Sequence, residues 1–279
     1  MIRSKKSLFI RYLFLILFSV VALFPMIYMI STSLKPNGAL YEFPPKFFPN
    51  LDEITLNNYR YILGESRFIK NFVNSIYVSS LSVFIAAITS TALAFVLGQF
   101  KNRFTNMIFA LLIVTMVIPG TTLIVPQFEL AVWMNLINKL TALIPFYTVW
   151  VIPFSTFMIK GFMESIPKDI IDSAEIDGAS IFKVFVKIAV PLASPGIASV
   201  TIFNFLSSWE EFPWANTVIN DSNIRTLPIA ITGFFGQHQF TQWGYVFALS
   251  MLSLLPILII FISFQKFFIS GLVAGGVKG

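Results

Sequence analysis

ESIPKDIIDSAEIDGASIFKVFVKIAVP, residues 164–191, is polar, whereas the sequence on either side of it is not. Nine charged side chains fall between Lys160 and Lys187: Lys160, Glu164, Lys168, Asp169, Asp172, Glu175, Asp177, Lys183 and Lys187. Charged groups at that density cannot sit in hydrocarbon, so this island faces water. Pro167 suits the first turn of a helix, where its missing N–H has no partner to lose. From Lys168 to Asp177 the pattern is helical, with Ile170, Ile171 and Ala174 on one face and Asp169, Asp172 and Glu175 elsewhere. Gly178 supplies the left-handed backbone that ends a helix, and Ser180 caps a second one. In that second helix Ile181, Phe185 and Ile188 line one side and Lys183 and Lys187 another, and Pro191 is expected to break it. The small residues Ser173, Ala174, Gly178, Ala179 and Ser180 would form the corner of a compact knob. Two readings stand: a surface on which a soluble partner docks, or a hairpin that only joins two spans.

Outward from the island the composition is that of a membrane protein. Of 279 residues, 56% are hydrophobic and 11% charged, with mean hydropathy +0.80; soluble domains carry roughly a quarter charged residues. A span needs about 20 apolar residues. Runs bounded by charge predict spans at Tyr12–Ser33, Asn71–Phe100, Phe104–Phe128, Leu140–Ile159, Ile188–Trp209 and a sixth beginning near Trp243, because Gly233, Gly236, Gln237, His238, Gln239 and Gln242 keep the start of the last uncharged run wet. The first run is too long for a signal-peptide core and no small-x-small cleavage site follows it, so it is read as retained. The fold expected is an all-α polytopic bundle of six transmembrane helices. Residues 1–70 would hold the first helix and an outer loop, and residues 71–279 a core domain.

Lys and Arg distribution sets orientation. With the N-terminus cytoplasmic, 12 of the 19 basic residues fall inside (Arg3, Lys5, Lys6, Arg11, Lys101, Arg103, Lys160, Lys168, Lys183, Lys187, Lys266, Lys278) and seven outside, five of these in the loop Leu34–Lys70. Both termini and the 164–191 island are therefore expected in the cytoplasm. The outer loop, with Pro36, Pro44, Pro45 and Pro49, should be extended, apart from a short helix near Leu56–Leu63. Within the third span Val117-Ile-Pro-Gly120 frees backbone carbonyls, as an ordinary proline kink or as a break beside a transport path. The polar residues of the second span, Asn74, Ser75, Ser79, Ser80, Ser82, Thr89, Ser90 and Thr91, are assigned to helix packing, with lining of a transport path as the second reading.

Asp172-Ser-Ala-Glu-Ile-Asp-Gly178, followed by Ile188-Ala-Val-Pro191, resembles the EAA loop of permease subunits in binding-protein-dependent ABC importers. Ala174, Asp177, Gly178 and Pro191 match that pattern, whereas Asp172-Ser173 stand for its Glu-Ala and Val190 for its Leu. Ser33-Leu-Lys35, Asn57-Asn-Tyr59, Asn71-Phe-Val-Asn-Ser75, Ser208-Trp-Glu-Glu-Phe212, Arg225-Thr-Leu-Pro228 and the tail Gly271–Gly279 resemble signatures of the carbohydrate type-1 (CUT1) importers, in the order of the MalG type. The resemblance implies a heterodimer with a second permease subunit, two ATP-binding subunits and an extracytoplasmic solute-binding protein, in a bacterial or archaeal cytoplasmic membrane. It implies that cytoplasmic EAA-type coupling helices between spans four and five, through Asp172, Ser173, Ala174, Asp177, Gly178 and Ala179, dock on the ATPase. It also implies that the C-terminal tail can reach the ATPase dimer, and that ATP and magnesium are bound by the partner subunits.

The chain has no cysteine and one histidine, His238, so disulfides, thiolate metal sites and histidine metal clusters are excluded. No P-loop and no H-E-x-x-H occurs, so no ATPase or zinc-hydrolase activity of its own is expected, and no cofactor. Candidates for contact with solute are Trp209, Glu210, Glu211, Phe212 and Trp214: aromatic faces suit sugar C–H surfaces and carboxylates suit hydroxyls. The same Trp residues also fit ordinary interfacial anchoring, and the glutamates fit salt bridges or the binding protein. The function expected is a permease subunit for a di- or oligosaccharide. The alternatives are a secondary transporter, disfavoured by spans without ionisable groups, a membrane-embedded enzyme, for which no catalytic constellation occurs, and an ABC permease for a glycerophosphodiester or polyol.

Overall fold

The computed structural model describes residues 5–44, 46–64, 67–235 and 241–276, with side chains between residues 8 and 265. His238 and the last three residues of the tail lie outside the described residues, as do the tail's other side chains. Every regular element among the described residues is helical. Five helices are long and apolar enough to cross a membrane, and a sixth span is counted if one bent pair is taken together.

The chain divides into two compact units, one of residues 1–69 and 230–255, the other of residues 70–229 and 256–279. The first unit holds α1 (Lys5–Ser33), α2 (Asn57–Gly64) and the first part of α12 (Trp243–Gly276). Its best-tied point joins two of the signature motifs. Buried Asn58 donates from Nδ2 to the carbonyls of Ser33 (2.8 Å) and Lys35 (2.7 Å), and the hydroxyls of Ser33 and Tyr59 lie 2.7 Å apart. Gly244 is required there by space: a Cβ would stand 2.7 Å from the Asn37 and Asn58 side chains. Next to it Tyr61 stacks on Tyr245 with ring centres 4.3 Å apart. Lys35 is buried, and burial pushes its ammonium pKa below the usual lysine range.

The second unit contains α3 (Phe68–Gln99, from Lys70 on), α4 (Arg103–Val117), α5 (Ile124–Trp133), α6 (Leu143–Glu164), α7 (Lys168–Ile176), α8 (Ile181–Val184), a π-helical turn (Phe185–Ala189), α9 (Val190–Trp209), α10 (Pro213–Val218) and the first half of α11 (Leu227–Thr232). α6 and α9 cross closely because Gly196 has no side chain. A Cβ there would lie 2.3 Å from the Phe162 ring. Two polar residues of α3 tie it to other segments: Ser75 Oγ accepts from Leu227 N (2.8 Å), and Ser82 Oγ donates to Ile144 O (3.3 Å). Two apolar clusters form, one around Phe146, Tyr147 and Trp214, the other around Phe95, Ile159, Met163 and Val200.

Two expectations need correction. The third span is not one helix through Phe104–Phe128; Arg103–Val117 and Gly120–Trp133 meet at 94°. Ile118, held extended by the proline that follows it (φ −79°, ψ 119°), starts the break, and Gly120 follows directly. Pro191 does not end the second island helix either. Ile181 to Trp209 runs on as one helical stretch of 29 residues, and the π turn at 185–189 lies over the carbonyls that the Pro191 ring would otherwise crowd.

Candidate functional site

The polar island folds as a helix–turn–helix with a defined stop. Gly178 N–H donates to Glu175 O (2.9 Å) and Ala179 N–H to Ala174 O (2.9 Å), the two bonds of a Schellman ending, with Gly178 at φ +80°. No atom lies within 4 Å of a Cβ placed on Gly178, so backbone conformation alone demands glycine there. Ala174 and Ala179 are the pair that such an ending brings together, and both pack half-buried on the second apolar cluster. Ser180 then caps α8 by accepting from Lys183 N–H (3.3 Å). Asp169 occupies the first turn of α7, where the helix dipole favours a carboxylate.

Ile171 and Val184 key this corner into the bundle, buried with Phe95 of α3, Met163 of α6 and Ala193 of α9. Around it Gln99 Nε2 donates to Met163 O (2.9 Å), Glu164 pairs with Lys160 (2.9 Å) and Lys101 (3.5 Å), and Lys160 lies 4.4 Å from the Phe109 ring centre. Of the docking candidates, Asp172, Ser173, Asp177 and Gly178 are exposed and Ala174 and Ala179 half-buried. Asp172 and Glu175 also line a small cavity of about 160 Å³ between the end of α3 and the island, with Lys168, Phe95 and Phe100. Two residues that the sequence reading did not select are conspicuous: Ile176, 85% exposed, and Phe182, 72% exposed. Their signal was present as apolar residues off the expected inward faces.

Toward the other end of the Ile181–Trp209 stretch, α6 and α9 enclose a cleft of about 350 Å³ lined by Tyr147, Trp150, Val151, Phe154, Phe203, Asn204, Ser207, Ser208 and Glu211. Glu211 is its most tightly tied group. The carboxylate accepts from Tyr147 Oη (2.6 Å), Trp214 N (2.7 Å) and Ala215 N (3.1 Å), which holds α6 to the start of α10. Deeper in, Asn204 Nδ2 donates to Ser155 Oγ (2.8 Å), which donates to Val151 O (2.6 Å). Of the five solute candidates, Glu211 alone lines the cleft. Trp209 is buried between Phe72 and Phe205, and Trp214 is fully buried against Phe146. Phe212 packs on the same cluster as Trp214, and Glu210 is exposed. The cleft's aromatic lining comes instead from Tyr147, Trp150, Phe154 and Phe203, at positions the sequence reading treated as ordinary span.

The chain belongs to the family described as binding-protein-dependent transport system inner membrane component, which it matches over residues 90–272, and it is a multi-pass protein of the cytoplasmic membrane. It is 35% identical over 257 residues to the sulfoquinovosyl glycerol transport system permease protein SmoH of Agrobacterium fabrum, covering 92% of this chain and 89% of that one. It is 31% identical over 260 residues to the arabinooligosaccharides transport system permease protein AraQ of Halalkalibacterium halodurans (93% and 92% covered). It is 30% identical over 257 residues to the melibiose/raffinose/stachyose import permease protein MelC of Bacillus subtilis (91% and 91%). The fold is similar to a chain of a crystallised bacterial ABC transporter involved in import of the acidic polysaccharide alginate, with TM-score 0.80 and 19% identity over 96% of this chain and 99% of that one.

Proposed function

We propose that this chain is one of two permease subunits of an ATP-driven importer that receives a di- or oligosaccharide from an extracytoplasmic binding protein. The observation that carries the proposal is the single helical stretch Ile181–Trp209. One end begins at the Gly178 corner and the other reaches the Glu211 cleft, roughly 40 Å away at 1.5 Å per residue. A push on the corner is thereby delivered to the cleft without an intervening loop. The relatives' names supply the solute class, since all three carry sugars or a glycoside.

In this reading both termini and the corner lie in the cytoplasm, and the core domain is residues 71–279. Asp172, Ser173, Ala174, Asp177, Gly178 and Ala179 form the ATPase-docking surface, with Ile176 and Phe182 as its apolar anchors. Partner subunits bind ATP and magnesium, and this chain holds no cofactor. Closure of the ATPase dimer moves the corner and opens the cleft side to the binding protein; hydrolysis resets it. Glu210 and Glu211 stand at the solute path, with Trp209, Phe212 and Trp214 packed behind them. The test is reconstitution with and without the partner permease, the ATPase and the binding protein. The full set should take up sugar only with ATP, and uptake by this chain alone would sink the proposal. Phe182→Asp should prevent the ATPase from co-purifying, and an unaltered complex would remove the corner from the docking surface.

A further inference from the structure

The α6–α9 cleft divides its chemistry between two walls in a way that helix packing does not require. On α6, Tyr147, Trp150, Val151 and Phe154 recur at spacings of three, one and three and make an aromatic wall. On the other side Asn204, Ser207 and Ser208 of α9 and Glu211 just beyond it recur at the same spacings and make a mainly polar one, with Phe203 at its edge. Polar side chains within spans normally face protein or a water-filled path, because hydrocarbon cannot satisfy them. The volume of about 350 Å³ falls within the range of about 300–1,000 Å³ usual for small-molecule sites. Trp150 presents its ring to this wall, while its Nε1 is buried away from the cleft surface. The Glu211 carboxylate is held in place by its three donors, so its edge is pre-set rather than mobile. It is the one charged group in the lining, and no basic residue accompanies it.

We propose that this cleft is a carbohydrate subsite belonging to this subunit, and that it selects neutral sugars. A pyranose is apolar on its C–H faces and polar at its rim. Its face would lie on Trp150 and Phe154, where the negative ring quadrupole meets C–H groups. Its hydroxyls would meet Asn204, Ser208 and Glu211. A uronate or sulfonate would bring a second negative charge to Glu211 without a cation to offset it. The assignment rests on the import function proposed above.

The complete transporter in proteoliposomes, supplied with its binding protein, is offered maltose, melibiose, raffinose, arabinotriose and the anionic trimannuronate. Whichever neutral sugar the parent takes up serves as the probe. Because the chain has no cysteine, Ser207→Cys gives a single labelling position, read by the mass of this subunit. The sugar should slow its modification about fivefold or more, and Trp150→Ala should lower the sugar moved per ATP about tenfold, with Trp150→Tyr recovering most of it. Equal labelling with and without sugar overturns the subsite. So does an introduced thiol that no reagent reaches in the assembled transporter, since the cleft is then a helix contact with the partner permease. Uptake of trimannuronate on a par with neutral sugars overturns the selectivity. A parent that takes up none of the neutral sugars overturns the import reading and the subsite together, before any variant is made.

Discussion

The Gly178 corner and the Glu211 cleft lie on one helical stretch, yet they solve opposite problems. At the corner, apolar Ile176 and Phe182 face outward while the turn is held by its own Schellman bonds and the Ser180 cap. At the cleft, polar Asn204, Ser208 and Glu211 lie within the bundle, and Asn204 and Glu211 are satisfied by side chains and backbone of other helices. A surface that is locally self-sufficient and externally apolar can be gripped and released without unravelling. A site whose polar groups depend on neighbours registers any relative movement of those neighbours. On the function proposed, the corner would serve as a handle and the cleft as a position-sensitive site.

The largest effect should come from cutting the cleft's dependence. Glu211→Ala leaves Tyr147 Oη, Trp214 N and Ala215 N without their acceptor, at a cost of about 3 kcal/mol or more. The thermal midpoint of the purified complex should fall, and Glu211→Gln should fall less, since one amide oxygen still accepts. A midpoint unchanged in both would mean that the tie is not structural. Next comes the link between the two ends. Gly196→Ala forces the Phe162 ring to move, an overpacking cost of about 1–3 kcal/mol, and the double change Gly196→Ala with Phe162→Leu should recover much of it.

At the handle, Gly178→Val places a β-branched residue at φ +80°, with strain of about 1–2 kcal/mol. Sugar-stimulated ATP hydrolysis should drop with little loss of thermal stability, whereas Gly178→Asn, which tolerates that backbone, should keep most of it. Equal activity in the Val and Asn variants would remove the turn from the coupling route. The smallest effect lies outside both regions. The Lys46 ammonium, and then the Asn50 amide, hold the Glu53 carboxyl below the usual carboxylate range. Because the folded value is the lower one, the contribution is complete at neutral pH and is lost as pH falls from the ordinary carboxylate value through the folded value. Glu53→Gln should flatten that acid limb without altering uptake at neutral pH; a limb of unchanged slope would exclude Glu53 as its source.

Much of the handle was legible beforehand, because it is built from local rules. Gly178, Ser180 and Pro167 each carry a backbone preference that needs no knowledge of the rest of the fold. The sixth span's start at Trp243 and the last residue of the first at Ser33 were also legible, as local changes between polar and apolar sequence. The prolines of the spans were not. Pro25, Pro153, Pro195 and Pro256 all sit inside helices that continue, whereas Pro119 ends one. What differs is the surroundings: Gly120 follows at once, with an extended Ile118 before it. The cleft was harder still, because it depends on which way each helix is turned. Ser208 lines it and Trp209, one position on and about 100° round the helix, packs on Phe72. No local signal separates those two phases; the Gly196–Phe162 crossing sets them.

That rotational view gives the π turn at Phe185–Ala189 a meaning beyond accommodating Pro191. A π turn is an α-helix with one residue inserted, and one residue is about 100° of rotation. Everything N-terminal to it, including Ile181, Phe182 and the Gly178 corner, is therefore offset by that angle from where an unbroken α-helix ending at Trp209 would place it. The five residues work as a fixed index between two dials. They set which side of the corner is presented outward for a given setting of the cleft, and deleting Val186 or Lys187 among them would turn the corner while leaving Gly178 and Glu211 in place.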